Sequence, residues 1–275
     1  MPELPEVETI RRGLKRVLIG QTIRQVKIRE TRFRQPINGA RLKRLIAGQQ
    51  VAALHRRAKY LLCELKNRAH LVIHLGMSGR LLYCKKSMPL QKHDHIQFSF
   101  TNGHELRFYD PRRFGMVDAV LPGELSDYFH FRSLGPEPLS RQLTAAYLAQ
   151  RAKKLTRPVK NFLMDGAVVV GVGNIYASES LFRAGIHPQK ASGKLSSSEW
   201  EKLVRAVRAT LKRAIKRGGT TFNDFHNSDG GMGYFQQELM VYDRAGEPCR
   251  ACDRKIRRIV QAGRSSFYCP RCQKN

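Results

Sequence analysis

The chain has 275 residues, enough for two domains, and sets 50 Lys and Arg against 22 Asp and Glu, a formal net charge of +28. Such an excess repels itself in a compact state unless a polyanion neutralises it, which makes nucleic acid the first candidate partner and a membrane surface the second. No apolar run approaches the roughly 20 residues that cross a bilayer, and no apolar segment follows the N-terminal charges, so the sequence reads as a cytosolic protein with reduced thiols rather than an exported or membrane-embedded one.

The chain opens Met1-Pro2-Glu3. Pro2 is small enough for Met1 to be removed in a bacterial cell, which would leave proline as a free secondary amine. Such an amine titrates at about 7.7–8.0, so part of it is uncharged near neutrality. Its attack on a sugar C1′ gives a cationic iminium, an electron sink for later eliminations, and Glu3 stands beside it as a proton carrier. The structural alternative is a helix start: Val7, Ile10, Leu14 and Leu18 predict an amphipathic helix over 3–18, and Glu3, Glu6 and Glu8 suit its dipole.

Short strands are predicted at 22–28, 51–54, 60–65, 71–74, 95–100, 105–109 and 117–120. Asn102-Gly103 marks a hairpin in which Ile96, Phe98 and Phe100 face Leu106 and Phe108. Strands with one long helix predict a β-sandwich carrying helices over the first 130 or so residues. Gly135-Pro136-Glu137-Pro138 reads as a linker, and beyond it the period turns helical. Helices are expected at 144–154 and 159–164, at 175–184 closed by Gly185, and from the capping box Ser196-x-x-Glu199 up to Gly218-Gly219.

Four of the six cysteines, Cys249, Cys252, Cys269 and Cys272, are spaced C-x₂-C-x₁₆-C-x₂-C. Two such knuckles close a tetrahedral zinc site with no open position, hence a structural one; the alternative is two disulfides. Cys63 and Cys84 read as packed thiols. Val170-Gly171-Val172-Gly173-Asn174 invites a dinucleotide loop, but Tyr176 stands where the third glycine belongs; a helix start with Asn174 at the cap, offering N–H groups to a phosphate, fits better. Met77, on the tip His74-Leu75-Gly76-Met77-Ser78-Gly79, and Phe114, beside Arg112 in Asp110-Pro111-Arg112-Arg113-Phe114-Gly115, are either core residues or wedges that enter a base stack. His93-Asp94-His95 is a metal cluster, a solvated hairpin start or a phosphate contact.

Pro2-Glu3-Leu4-Pro5-Glu6-Val7-Glu8-Thr9, the Arg57-Ala58-Lys59-Tyr60 stretch, the two glycine-flanked tips, the 173–181 turn and helix and the cysteine array together resemble formamidopyrimidine-DNA glycosylases along the whole chain. The resemblance implies an α+β protein: an N-terminal β-sandwich with flanking helices (1–131), a linker (132–139), a helix–two-turn–helix domain (140–236) and a Cys₄ zinc-finger β-hairpin (237–275). It implies a monomeric enzyme on damaged double-stranded DNA, with one structural Zn²⁺ and no organic cofactor, that removes oxidised purines and then cuts the strand by β,δ-elimination. Pro2 would be the nucleophile, Glu3 the proton carrier, Lys59 the proton donor of β-elimination and Arg264 the finger-tip residue of δ-elimination. Met77, Arg112 and Phe114 would fill the gap left by the extruded nucleotide. His93 and Asn174 would hold phosphates, Lys154 or its neighbour Lys153 would be the domain-junction lysine, and the glycine-rich 228–234 stretch would cover the flipped base. An endonuclease VIII-type enzyme for oxidised pyrimidines and a non-catalytic DNA-binding zinc protein are the rival readings; Leu4 speaks against the first.

Overall fold

Eight short strands build two antiparallel sheets whose apolar faces need a common cover. The computed structural model describes residues 2–220 and 235–274, and these fall into two compact units, residues 2–132 with 217–220 and residues 133–216 with 235–274.

In the first unit, β1 (Ile23–Ile28), β6 (Asp94–Phe100), β7 (His104–Tyr109) and β5 (Arg80–Lys85) form one sheet in the order β1-β6-β7-β5. The other is β2 (Val51–Arg57), β3 (Tyr60–Leu65), β4 (His70–His74) and β8 (Met116–Val120), in that order. The hairpin at Asn102-Gly103 pairs Ile96 with Phe108 and Phe98 with Leu106, as the alternation predicts. Phe98 and Phe108 of one sheet share a core with Leu61 and Ile73 of the other, so the sheets form a sandwich. Helix α1 (Leu4–Leu18) closes it, burying Val7, Ile10, Leu14 and Leu18. Cys63 and Cys84 are packed thiols. A short helix, α2 (Gly39–Ile46), is capped by Asn38 and buries Leu42 and Ile46.

The second unit is helical and then zinc-finger-like. α3 (Ala145–Ala152), α4 (Val159–Leu163), α5 (Asn174–Ala184) and α6 (Ser197–Lys216) precede the hairpin β9 (Arg257–Gln261) and β10 (Arg264–Tyr268). The capping box is made: Ser196 Oγ accepts from the Glu199 amide at 3.2 Å, and the Glu199 carboxylate accepts from the Ser196 amide at 2.9 Å. Trp200, Leu203, Val207 and Leu211 are buried along α6, and the Trp200 ring meets Phe162 of α4 at 5.7 Å. No described helix is long and apolar enough to cross a membrane.

Candidate active site

The start of α1 is held from two directions. Pro2 is buried and Glu3 is 2 % exposed at the N-cap, with its amide donating to Glu6 Oε2 at 2.8 Å. Glu6 Oε1 accepts from the amide and the hydroxyl of Thr220, at 2.8 and 3.0 Å. One turn further, Glu8 receives Arg11 at 2.8 Å, Arg12 at 2.9 Å and Arg56 of β2 at 3.3 Å. Burial opposes its ionisation, but the bonds from Arg11 and Arg12 and the charges of Arg11 and Arg56 outweigh it and hold the carboxyl at about 2. Arg56 also donates to the Ala58 carbonyl at 3.0 Å. The carboxylate thus ties α1 to the β2–β3 turn, where Ala58 takes φ 54° and Lys59 follows, half-buried. Met1 and the 228–234 stretch lie outside the described residues.

Two loops meet beside that turn. Asp110, fully buried, accepts from Ser78 Oγ at 2.6 Å and the Arg112 amide at 3.3 Å through Oδ1, and from the Gly115 amide at 2.8 Å through Oδ2. One carboxylate therefore braces both the tip after β4 and the loop before β8. The loops touch backbone to backbone: Gly76 has φ +61°, and a Cβ there would lie 2.4 Å from the Phe114 carbonyl carbon, so glycine is required. Met77 and Phe114 stay 39 % exposed each, although nothing in a β-sandwich demands it. Arg112 is exposed and lays its guanidinium over the Phe114 ring at 4.8 Å.

His93 passes its carbonyl to the Asp110 amide at 3.1 Å, and its ring meets His95 and Tyr109, each at 5.7 Å. It belongs to this corner, and the metal reading of His93-Asp94-His95 finds no support: the described residues group only the four late cysteines as a metal cluster. A cavity of about 270 Å³ opens beside Phe114 between Arg34, Tyr60, His74 and His130. His74 accepts the Gly76 amide on Nδ1 at 3.1 Å. Burial first, then the charges of Lys59 and His130, bring its pKa down to about 4, so it is neutral at physiological pH.

In the second unit Gly173 is the N-cap of α5, one place earlier than the sequence leads one to expect, and Asn174 is its first helical residue. The reason is the side chain: instead of capping, Asn174 Oδ1 accepts from Lys160 Nζ at 2.5 Å and its Nδ2 donates to the Tyr242 hydroxyl at 3.5 Å. Lys160 is 1 % exposed and also donates to the Ser265 carbonyl at 2.8 Å and Ser266 Oγ at 2.7 Å. One ammonium thereby locks the α5 start to β10, whose first residue is the exposed Arg264. The sequence reading passed over Lys160. Lys153 and Lys154, which it weighed, are exposed at the end of α3, with Lys154 at φ 63°. Glu179 of α5, fully buried, accepts from the amides of Met240, Val241 and Tyr242 at 2.9–3.1 Å. The segment leading to the finger is thus pinned by a single carboxylate.

The sulfurs of Cys249, Cys252, Cys269 and Cys272 lie within 4.8 Å of one another, with 249–272 at 4.0 Å and 252–269 at 3.4 Å. Sulfurs about 2.3 Å from a tetrahedral zinc stand about 3.8 Å apart, so the set fits that ion. Amides of Ala251 and Cys272 point at Cys249 and Cys269 sulfurs, at 3.5 and 3.4 Å, which favours thiolates. The four positions are filled by protein, and zinc here ties the finger together.

Residues 1–117, 134–226 and 246–275 match the family models of the formamidopyrimidine-DNA glycosylase N-terminal domain, its H2TH domain and the zinc finger found in FPG and IleRS. The chain belongs to the formamidopyrimidine-DNA glycosylase family. A formamidopyrimidine-DNA glycosylase of Enterobacter sp. (strain 638) is 49 % identical over 274 residues, covering all of both chains. A point mutant of the Lactococcus lactis FPG, in complex with Fapy-dG-containing DNA, superposes with TM-score 0.92 at 33 % identity over both full chains. The wild-type L. lactis protein with DNA containing an oxidised pyrimidine gives the same TM-score and identity, again over both full chains. The formamidopyrimidine-DNA glycosylase fold, the H2TH unit and the Cys₄ finger are thus those the sequence leads one to expect.

Proposed function

We propose that the protein is a bifunctional DNA glycosylase and abasic-site lyase that removes oxidised purines from duplex DNA. The observation that carries this reading is the Asp110 brace. It fixes Met77, Arg112 and Phe114 on adjoining loops, two apolar side chains and a cation presented together to solvent. That is the equipment for filling a gap in a base stack, and it offsets the few kcal/mol that extruding a nucleotide costs. Arg112 faces the orphaned base, and His93 and Asn174 take phosphates.

With Met1 removed, the Pro2 amine attacks C1′ of the extruded nucleotide, the C1′–N bond breaks, and the base departs with a proton relayed by Glu3. The nitrogen lone pair then opens the sugar to an iminium. Loss of a C2′ proton expels the 3′ phosphate and loss of a C4′ proton expels the 5′ phosphate, with Lys59 as the proton donor of the first elimination and the Arg264 guanidinium holding the phosphate through the second. The family membership and the L. lactis complex with Fapy-dG-containing DNA support the purine substrate.

A pyrimidine preference is the second reading, favoured by the L. lactis complex with an oxidised pyrimidine. Excision from 8-oxoguanine:cytosine and thymine-glycol duplexes separates them. Faster release of 8-oxoguanine is expected, and a clear thymine-glycol preference refutes the substrate assignment.

A further inference from the structure

The zinc finger carries more positive charge than its tip explains. From residue 246 to the end the sequence holds eight Lys and Arg against two acidic residues, Glu247 and Asp253. Glu247 pairs with Arg244 at 2.8 Å. The cations Arg254, Lys255, Arg257 and Arg271 line an open concavity of about 780 Å³ together with Asp253 and Pro270. All four are exposed, and among the described residues none of them makes an ion pair with a carboxylate.

The concavity is built, not incidental. Asp253 turns the chain at φ 60° with its amide on the Cys249 carbonyl at 2.9 Å, and the Arg254 carbonyl accepts the Cys249 amide at 2.9 Å. The Lys255 backbone bridges to Pro248, and Ile256 exchanges backbone bonds with Glu247 and Gly246, each at 2.9 Å. Arg271 sits between the ligands Cys269 and Cys272. The same knuckles that hold the metal therefore hold the four cations around one hollow. Four cations gathered around one carboxylate, Asp253, leave the hollow net positive, and an arriving polyanion relieves the repulsion.

We infer that this hollow at the base of the finger is a second phosphate-binding site, taking the backbone of the duplex a few nucleotides away from the finger tip. The inference rests on the proposed DNA reading. The hairpin fixes the reach: Arg257 pairs with Tyr268 and Gln261 with Arg264, so the hollow lies four residues, about 13 Å, from the tip. At about 3.4 Å of axial rise per nucleotide in one strand, that is some four nucleotides along the same backbone. Duplex DNA is favoured over other polyanions because the hollow continues the hairpin on which Arg264 stands. Its work is affinity rather than chemistry, since it gathers four cations and a single carboxylate, Asp253.

The test is a triple variant, Arg254→Gln/Lys255→Gln/Arg257→Gln, compared with wild type on a lesion-bearing duplex across a salt series. Each phosphate no longer neutralised lowers the slope of log K against log salt by about 0.9, so a decrease of one to three is expected, with affinity reduced roughly tenfold. Zinc content and excision at saturating enzyme should match wild type. An unchanged slope overturns the inference, as does lost affinity for single-stranded RNA with duplex binding intact. Wild-type base release reports separately on the underlying reading: a wild type that excises while the variant keeps its slope refutes the second site alone.

Discussion

Glu6 and Thr220 are 214 positions apart in sequence and meet through two hydrogen bonds, from the Thr220 amide at 2.8 Å and its hydroxyl at 3.0 Å. The same carboxylate takes the Glu3 amide at 2.8 Å. Gly219, at φ +83°, completes the contact, since a Cβ there would come within 2.8 Å of Glu6 Oε1. The residue after the proposed nucleophile is thus positioned through Glu6 by a segment more than 200 residues further along the chain.

Glu6→Gln keeps the size of the side chain but offers one acceptor oxygen where three donors converge. A buried donor left unsatisfied costs about 1–3 kcal/mol, so the melting temperature should fall. Displacing Glu3 and Pro2 by a fraction of an ångström should slow base release about tenfold or more, with DNA affinity little changed. Single-turnover excision and binding, measured on the same preparation, check this. Wild-type excision by Glu6→Gln contradicts it.

His74 should stay neutral far below the ordinary histidine range. Its pKa of about 4 lies below the free value of 6.5, so the folded state binds fewer protons than the unfolded state. Its contribution to stability is therefore complete above about pH 6.5 and lost as pH falls through about 4. The Nδ1 that accepts the Gly76 amide is the atom protonated, so the Met77 tip should loosen over that interval. An NMR titration of the His74 ring checks the value. A midpoint near 6.5 contradicts the burial argument.

Lys160→Met should be among the costliest single changes in the second unit. It strips the Asn174 amide oxygen, the Ser265 carbonyl and the Ser266 hydroxyl of a charged donor, and a buried acceptor left unsatisfied costs about 1–3 kcal/mol. With Asn174 and Ser265–Ser266 released from one another, DNA binding should weaken even where the protein remains folded and zinc-loaded. Thermal unfolding and zinc analysis give the readouts. An unchanged melting temperature is the contrary outcome.

The β6–β7 hairpin was legible because Ile96, Phe98 and Phe100 alternate with polar residues and face Leu106 and Phe108 across an Asn-Gly turn, and the α6 stripe because Trp200, Leu203, Val207 and Leu211 repeat at helical spacing. β5 escaped because Arg80–Lys85 buries only Leu81 and Cys84 and shows no alternation. α2 escaped because it is eight residues long, although Asn38 before Leu42 and Ile46 was the available signal. The candidate site residues were visible as local motifs: Pro2-Glu3, the two tips, the cysteine pairs. The residues that position them were not. Asp110, Glu6 and Lys160 act through partners 32, 214 and 106 positions away, and a charged residue bound for burial looks the same in sequence as one bound for solvent. Lys154, with Lys153 beside it, is named by the family resemblance, whereas Lys160 is singled out by burial and by its bonds to Asn174, Ser265 and Ser266.

The central claim is that the amine of Pro2 becomes covalently joined to the deoxyribose. Borohydride added during the reaction with an 8-oxoguanine duplex should reduce the iminium and leave a stable adduct, and peptide mass analysis should place the sugar on an N-terminus beginning at Pro2. A form that keeps an uncleaved N-terminal extension should neither trap nor cut. Full strand cleavage by the extended form, or an adduct on any other residue, contradicts the account.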